Sequence, residues 1–115
     1  MNKQTGQPTH AELILRAAAE IAHEQGSGAI ITRRDIRDKI GISHSEWMAG
    51  FTAIFQAMRS DHPGGAPYIG ERYRNVFRRI NRGNYALTAH GESLVAAIPS
   101  GTSVNPEAFR RSNGS

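Results

Sequence analysis

The sequence predicts a mainly α-helical fold carrying one small β-hairpin, and three observations predict it. Thr9 with Glu12, Thr32 with Asp35 and Ser43 with Glu46 stand in capping-box spacing ahead of apolar-periodic stretches. Such a pair satisfies the free amides that open a helix. Between the second and third boxes lie Gly41 and Ile42. Glycine takes the left-handed cap conformation without steric cost, so one helix ends there and another restarts after a tight turn. Finally, Asn81, Arg82, Gly83 and Asn84 supply turn residues ahead of the alternating Tyr85 to Thr88, which is hairpin chemistry.

Residues 1–8 are polar and are expected to be flexible. Thr9 opens a helix to about Gln25, stopped by Gly26. Leu13, Ile14, Ala17, Ala18 and Ile21 form its buried stripe, and Glu12, Arg16, Glu20 and Glu24 face water. Ser27 to Ile31 is too short for a helix and suits a short strand leading into Thr32. A helix follows over Arg33 to Ile40, and Ile42 plugs inward after it. In the next helix Trp47, Met48, Phe51, Ile54, Phe55 and Met58 recur at the spacing of one buried stripe. At 100° per residue the opposite face carries Ser45, Ala49, Thr52, Ala53, Gln56 and Ser60. Small side chains with donors and acceptors can approach base edges in a major groove; the same face equally suits an ordinary solvated surface. The Pro- and Gly-rich stretch 61–70 is a loop. Phe77 to Ile80 pairs with the Tyr85–Leu87 segment across the turn. Thr88 caps a last helix, roughly Ala89 to Ile98, with Leu94, Val95 and Ile98 facing in. Residues 9–98 thus form one domain, and 99–115 a flexible tail.

With 115 residues and no cysteine, the chain has room for one modest core and lacks disulfides and thiolate chemistry. No apolar run approaches the ~20 residues of a membrane span. The N-terminus has no signal-peptide core, so a cytoplasmic location is expected. The net charge of +4 is uneven: residues 1–58 hold six basic and six acidic side chains, residues 59–115 eight arginines and four acids. That favours a polyanionic partner. Five arginines, Arg72, Arg74, Arg78, Arg79 and Arg82, fall within eleven residues with no acid among them. They would repel one another unless an anion compensated, although alternate strand positions also simply face solvent.

DIRDKIGISHSEW resembles a helix-turn-helix, and FRRINRGNYALTAHG resembles the wing of winged helix-turn-helix proteins, an arginine-bearing hairpin with a central glycine. The resemblance spans roughly Thr9 to Ile98 and extends, more loosely, to small bacterial modules found with restriction or mobile-element proteins. The PGGAPYIG insertion departs from the minimal pattern. The resemblance implies a three-helix core, a two- or three-stranded wing, a C-terminal helix, and a double-stranded DNA partner. It places the second helix of the pair in the major groove, with Ser45, Thr52 and Gln56 toward the bases and Ser43 and His44 near a phosphate at its N-terminus. The wing would supply Arg72, Arg74, Arg78, Arg79, Arg82 and Asn84, with Arg82 at the hairpin tip. Arg33, Arg34 and Arg37 are weaker backbone candidates. A protein-binding surface, a homodimer and the recognition of a methylated base remain open; for the last, Trp47 with Tyr68, Tyr73 or Tyr85 would build the pocket.

Catalysis finds little footing. His10, His23, His44, His62 and His90 show no metal-ligand spacing, and His90 to Ser93 lack a nucleophile elbow. Gly64 and Gly65 are followed by no Lys-Ser/Thr pair, so no phosphate loop is present. A non-enzymatic protein without cofactor or metal is expected.

Overall fold

The computed structural model describes residues 9–26, 28–61, 69–99 and 101–102. Expectations for the two termini and for the centre of the 61–70 loop lie outside the described residues, Arg110 and Arg111 with them. The elements are α1 (His10–Gln25), α2 (Arg33–Ile40), α3 (His44–Glu46), a π-helical turn (Trp47–Phe51), α4 (Thr52–Ala57), a 3₁₀ turn (Glu71–Tyr73), β1 (Phe77–Asn81), β2 (Asn84–Leu87) and α5 (Ala89–Ala96). Among the described residues, no helix is long and apolar enough to cross a membrane.

Local chemistry sets the helix ends. Thr9 Oγ1 accepts from the Glu12 amide at 3.1 Å. Thr32 with Asp35, and Ser43 with Glu46, exchange both bonds of a capping box. Gly41 closes α2 at φ +85° with its amide donating to the Arg37 carbonyl. α1 is buried on more than the expected stripe, since Ala11, Leu15 and Ala19 are buried as well. It is the central helix: α2, α5, the π-helical turn, α4 and the 3₁₀ turn all pack on it.

From His44 to Ala57 the chain is helical throughout, but not uniformly α. The Thr52 amide donates to the Trp47 carbonyl, an i→i+5 bond that admits one extra residue in the turn. The 100° wheel therefore slips. Trp47, Phe51, Phe55 and Met58 keep the buried stripe, whereas Met48, expected within it, is 53% exposed. Ile54 is half-buried, and Ala57 is buried in its stead. His10 sits against the irregular turn. Its ring stacks on Phe51 at 4.1 Å, and its Nδ1 lies 2.8 Å from the Gly50 carbonyl oxygen. A carbonyl only accepts, so Nδ1 donates. A Cβ on Gly50 would stand 2.9 Å from the imidazole Cε1; glycine is what lets the ring in.

In the hairpin Phe77 faces Leu87, Arg78 faces Ala86 and Arg79 faces Tyr85, before the register slips so that Asn81 faces Asn84. Gly83 makes the turn at φ +81°, and Asn84 Nδ2 donates to Asn81 Oδ1 at 2.7 Å. The expected strand before Thr32 is a single bridge: Ile31 and Tyr85 exchange amide bonds of 2.8 and 2.9 Å. The Met58 carbonyl accepts from the amides of Val76 and Phe77, which ties the end of α4 to β1. Phe55 holds the two together, 4.9 Å from the Phe77 ring and 5.0 Å edge-on to Tyr85. α5 opens on Thr88 and ends at Ala96, earlier than expected, though Ile98 beyond it is still buried. Gly91 is fixed by close approach, since an added Cβ would lie 2.3 Å from the Val76 carbonyl oxygen.

Candidate nucleic-acid interface

α2 and the helix that follows it border a groove. Arg33, Arg34 and Arg37 line it from α2, and His44, Trp47, Met48, Thr52 and Gln56 from the facing helix. No acid lines it. The Thr32 cap fixes where α2 begins, and the 3.6-residue repeat then keeps the three arginines on adjoining sides of that helix. Each is engaged differently. Arg34 is exposed and forms no ion pair among the described residues. Arg37 donates to His44 Nδ1 at 3.3 Å and lies 3.8 Å from Asp38. Arg33 lies over two rings, 5.5 Å from the Phe55 centroid and 5.6 Å from that of Tyr85, and its Nε is buried without a hydrogen-bond partner.

The π turn determines the opposite wall. It turns Met48 outward beside Thr52 and Gln56, while Ser45, Ala49 and Ala53 are exposed outside the groove. Ser43 is committed locally. Its hydroxyl accepts from the Glu46 amide at 3.1 Å, and the Glu46 carboxylate takes the Ser43 amide at 3.0 Å. The Ser43 and Glu46 amides at this helix start are therefore already taken, and a carboxylate stands where a phosphate would dock.

The arginines of residues 72–82 do not form the single wing cluster expected of them. Arg72 and Arg74 precede the hairpin. Arg72 is 3.8 Å from Glu12 and Arg74 is 3.9 Å from Glu71. Glu12, expected to face water, is a hub: it also takes Arg16 Nε at 3.1 Å and the Tyr73 hydroxyl at 2.5 Å. Burial first, and the bond to Glu12 second, push the Tyr73 hydroxyl above its ordinary pKa. Arg78 and Arg79 leave opposite faces of the strand, as neighbours must. Arg79 shares a face with Tyr85, whereas Arg78 stands with Ala86 and lines a separate pocket with Ala22, Glu92 and Val95. Arg82 is exposed at the tip, and the Asn84 amide is held by Asn81. The expected aromatic pocket is not assembled either. Tyr73 is bonded to α1, Tyr85 packs on Phe55, and Tyr68 lies outside the described residues.

Two further residues belong here, Arg59, which the sequence did not single out, and Asp61, which it placed in a turn beside Pro63. Arg59 donates from Nε and one terminal nitrogen to both Asp61 oxygens, at 3.0 and 2.9 Å, and its guanidinium lies 5.3 Å from the Tyr85 centroid. This bond is the main reason the Asp61 carboxyl is held below its ordinary value of 3.8. The signal in the sequence was an arginine two residues before an acid at the end of an apolar stripe. Among the described residues, no three His, Asp or Glu side chains converge as a metal site requires.

No protein-family model, no curated protein and no solved structure matches the chain.

Proposed function

We propose that this chain is a winged helix-turn-helix protein that binds double-stranded DNA, acting in transcriptional regulation or in targeting a DNA-processing system. The observation that carries the reading is the acid-free groove in which three arginines and His44 run beside Thr52 and Gln56. Among the described residues only Arg37 of the three has an acid within 4 Å, Asp38 at 3.8 Å; guanidinium groups so gathered repel one another, and a phosphate backbone relieves that repulsion. Thr52 and Gln56 offer the donors and acceptors that base edges need, glutamine being able to bond adenine through two atoms. In the proposed complex the helix from His44 to Ala57 enters the major groove, and Arg79 and Arg82 of the hairpin meet the adjacent backbone or minor groove. Support for the winged architecture comes from the element order and from Ile31, which adds a third, one-residue strand to the hairpin. Met48, 53% exposed beside Thr52, favours a second reading within DNA binding, contact with a base methyl group such as that of thymine or a methylated cytosine.

The test is a titration of random-sequence duplex at several salt concentrations. With four backbone contacts, from Arg33, Arg34, Arg37 and Arg79, log K falls against log salt with a slope of about −3 to −4. A flat dependence, or no retained duplex at low salt, overturns the reading and leaves the groove to a protein partner. Parallel duplexes with and without cytosine methylation test the role of Met48.

A further inference from the structure

A second basic site is built where the end of α4 meets the hairpin. Two guanidinium groups converge on one buried ring, Arg33 at 5.6 Å and Arg59 at 5.3 Å from the Tyr85 centroid. Arg79 stands directly opposite Tyr85 in the hairpin register and so leaves the same face of the sheet. Arg33 Nε is buried there with its hydrogen-bonding capacity unused. Like charges in a partly dry site need an anion among them, and Asp61 is the acid that sits there. It takes the Arg59 fork through both oxygens, and the charge of Arg79 also reaches it. One carboxylate facing the two guanidiniums of Arg59 and Arg79 leaves this group one charge positive.

The two partners are held unequally. The Arg59 side chain is 12% exposed and pinned against Tyr85, whereas that of Asp61 is 49% exposed. Asp61 can therefore swing away without opening the core, and Arg59 stays in place. A planar guanidinium fork accepts two phosphate oxygens as readily as two carboxylate oxygens. Arg33, which lines the groove, lies over the same Tyr85 ring as Arg59.

We propose that Arg59 and Arg79 beside Tyr85 form a seat for one backbone phosphate of duplex DNA, and that Asp61 occupies this seat in the free protein as an internal competitor. The proposal rests on the DNA-binding reading above and adds to it a site and a brake. Binding exchanges one anion for another on Arg59, with no covalent change, and the released carboxylate returns to water. Asp61 thereby weakens binding to every duplex sequence alike.

The experiment compares wild type with Asp61→Asn on a random-sequence duplex across salt concentrations. Asp61→Asn is expected to bind about 3- to 10-fold more tightly, because the competing charge is gone while Arg59 remains. In an Arg59→Gln background the same change gives no further gain. Glu92→Gln, which neutralises an exposed acid on the Arg78 side, changes affinity less than 2-fold. Arg79→Gln flattens the salt slope by about 0.9 with an unchanged thermal midpoint. If wild type binds with a steep salt slope but Asp61→Asn binds no better, the seat is refuted while the DNA-binding reading stands. A gain that matches that of Glu92→Gln, or persists without Arg59, refutes it equally. If neither protein retains duplex at low salt, both proposals fall.

Discussion

Two sets of arginines in this chain meet different fates. Among the described residues, Arg33, Arg34 and Arg37 share a groove that no acid lines, and of the three only Arg37 has a carboxylate within 4 Å, that of Asp38. Arg72 and Arg74, members of the densest arginine run in the sequence, are each within 4 Å of a carboxylate, Glu12 and Glu71 respectively. The difference lies in the elements that carry them. A helix returns residues three and four apart to one side, so α2 keeps its charges together. The later run passes through a 3₁₀ turn and into a strand, which sends alternate residues to opposite faces. Meanwhile α1 supplies an acid from some sixty positions earlier in the chain, the Tyr73–Glu12 bond spanning 61 residues. Charge density along a sequence is therefore a poor guide to charge density on a surface, and the less conspicuous set is the better candidate for contact with a polyanion.

The sharpest test of this contrast neutralises each set in turn. Arg34→Gln combined with Arg37→Gln is expected to lower affinity for random duplex at least 10-fold at low salt and to flatten the salt slope by about 1.8, two contacts' worth. Arg72→Gln combined with Arg74→Gln should change affinity less than 2-fold in the same titration. The reverse order would hand the interface to the later run. A smaller and more selective effect belongs to Gln56→Ala. It should cost about 1–3 kcal/mol at one base pair and leave random-duplex affinity unaltered, as read by competition with singly substituted duplexes. The smallest effect sits on the side assigned to stability. Tyr73→Phe removes the hydroxyl bonded to Glu12 and is expected to cost about 1 kcal/mol in thermal unfolding, with duplex affinity unchanged. Because the folded protein holds the Tyr73 pKa above its ordinary 10.0, its contribution is complete below that value. It is lost as pH rises through the folded pKa, so the stability gap between wild type and Tyr73→Phe narrows in strongly alkaline solution.

Much of the scaffold was legible because its punctuation is local. Thr9, Thr32, Ser43 and Thr88 act on amides three positions ahead, and Gly41 and Gly83 adopt the positive φ that their turns require. What was hidden depends on partners distant in sequence. The π turn goes with a histidine forty positions earlier, and a uniform wheel consequently buried Met48. Gly50, a glycine within an apolar helix, was the one local hint. α1 looked amphipathic because nothing in its own residues tells how many neighbours will surround it. In the candidate interface Arg33, Arg34, Arg37, Thr52 and Gln56 were visible as candidates, while their union in one groove was not. Arg59 was overlooked, and Asp61 set down to turn chemistry beside Pro63, for the opposite reason: they lie so close in sequence that the turn alone accounts for the acid.

The imidazole of His10 lies outside the groove, yet it helps decide what the groove displays. His10→Ala leaves nothing to take the Gly50 carbonyl and is expected to return the turn to i→i+4 bonding, as read from amide and side-chain chemical shifts of residues 47–52. The side chains before the irregular turn would then rotate by roughly 100° relative to those after it, carrying Met48 inward and away from Thr52 and Gln56. On that expectation the opening turn of α1 acts as a set screw for the neighbouring helix, and the chemistry offered to a partner then depends on a residue that need never touch it.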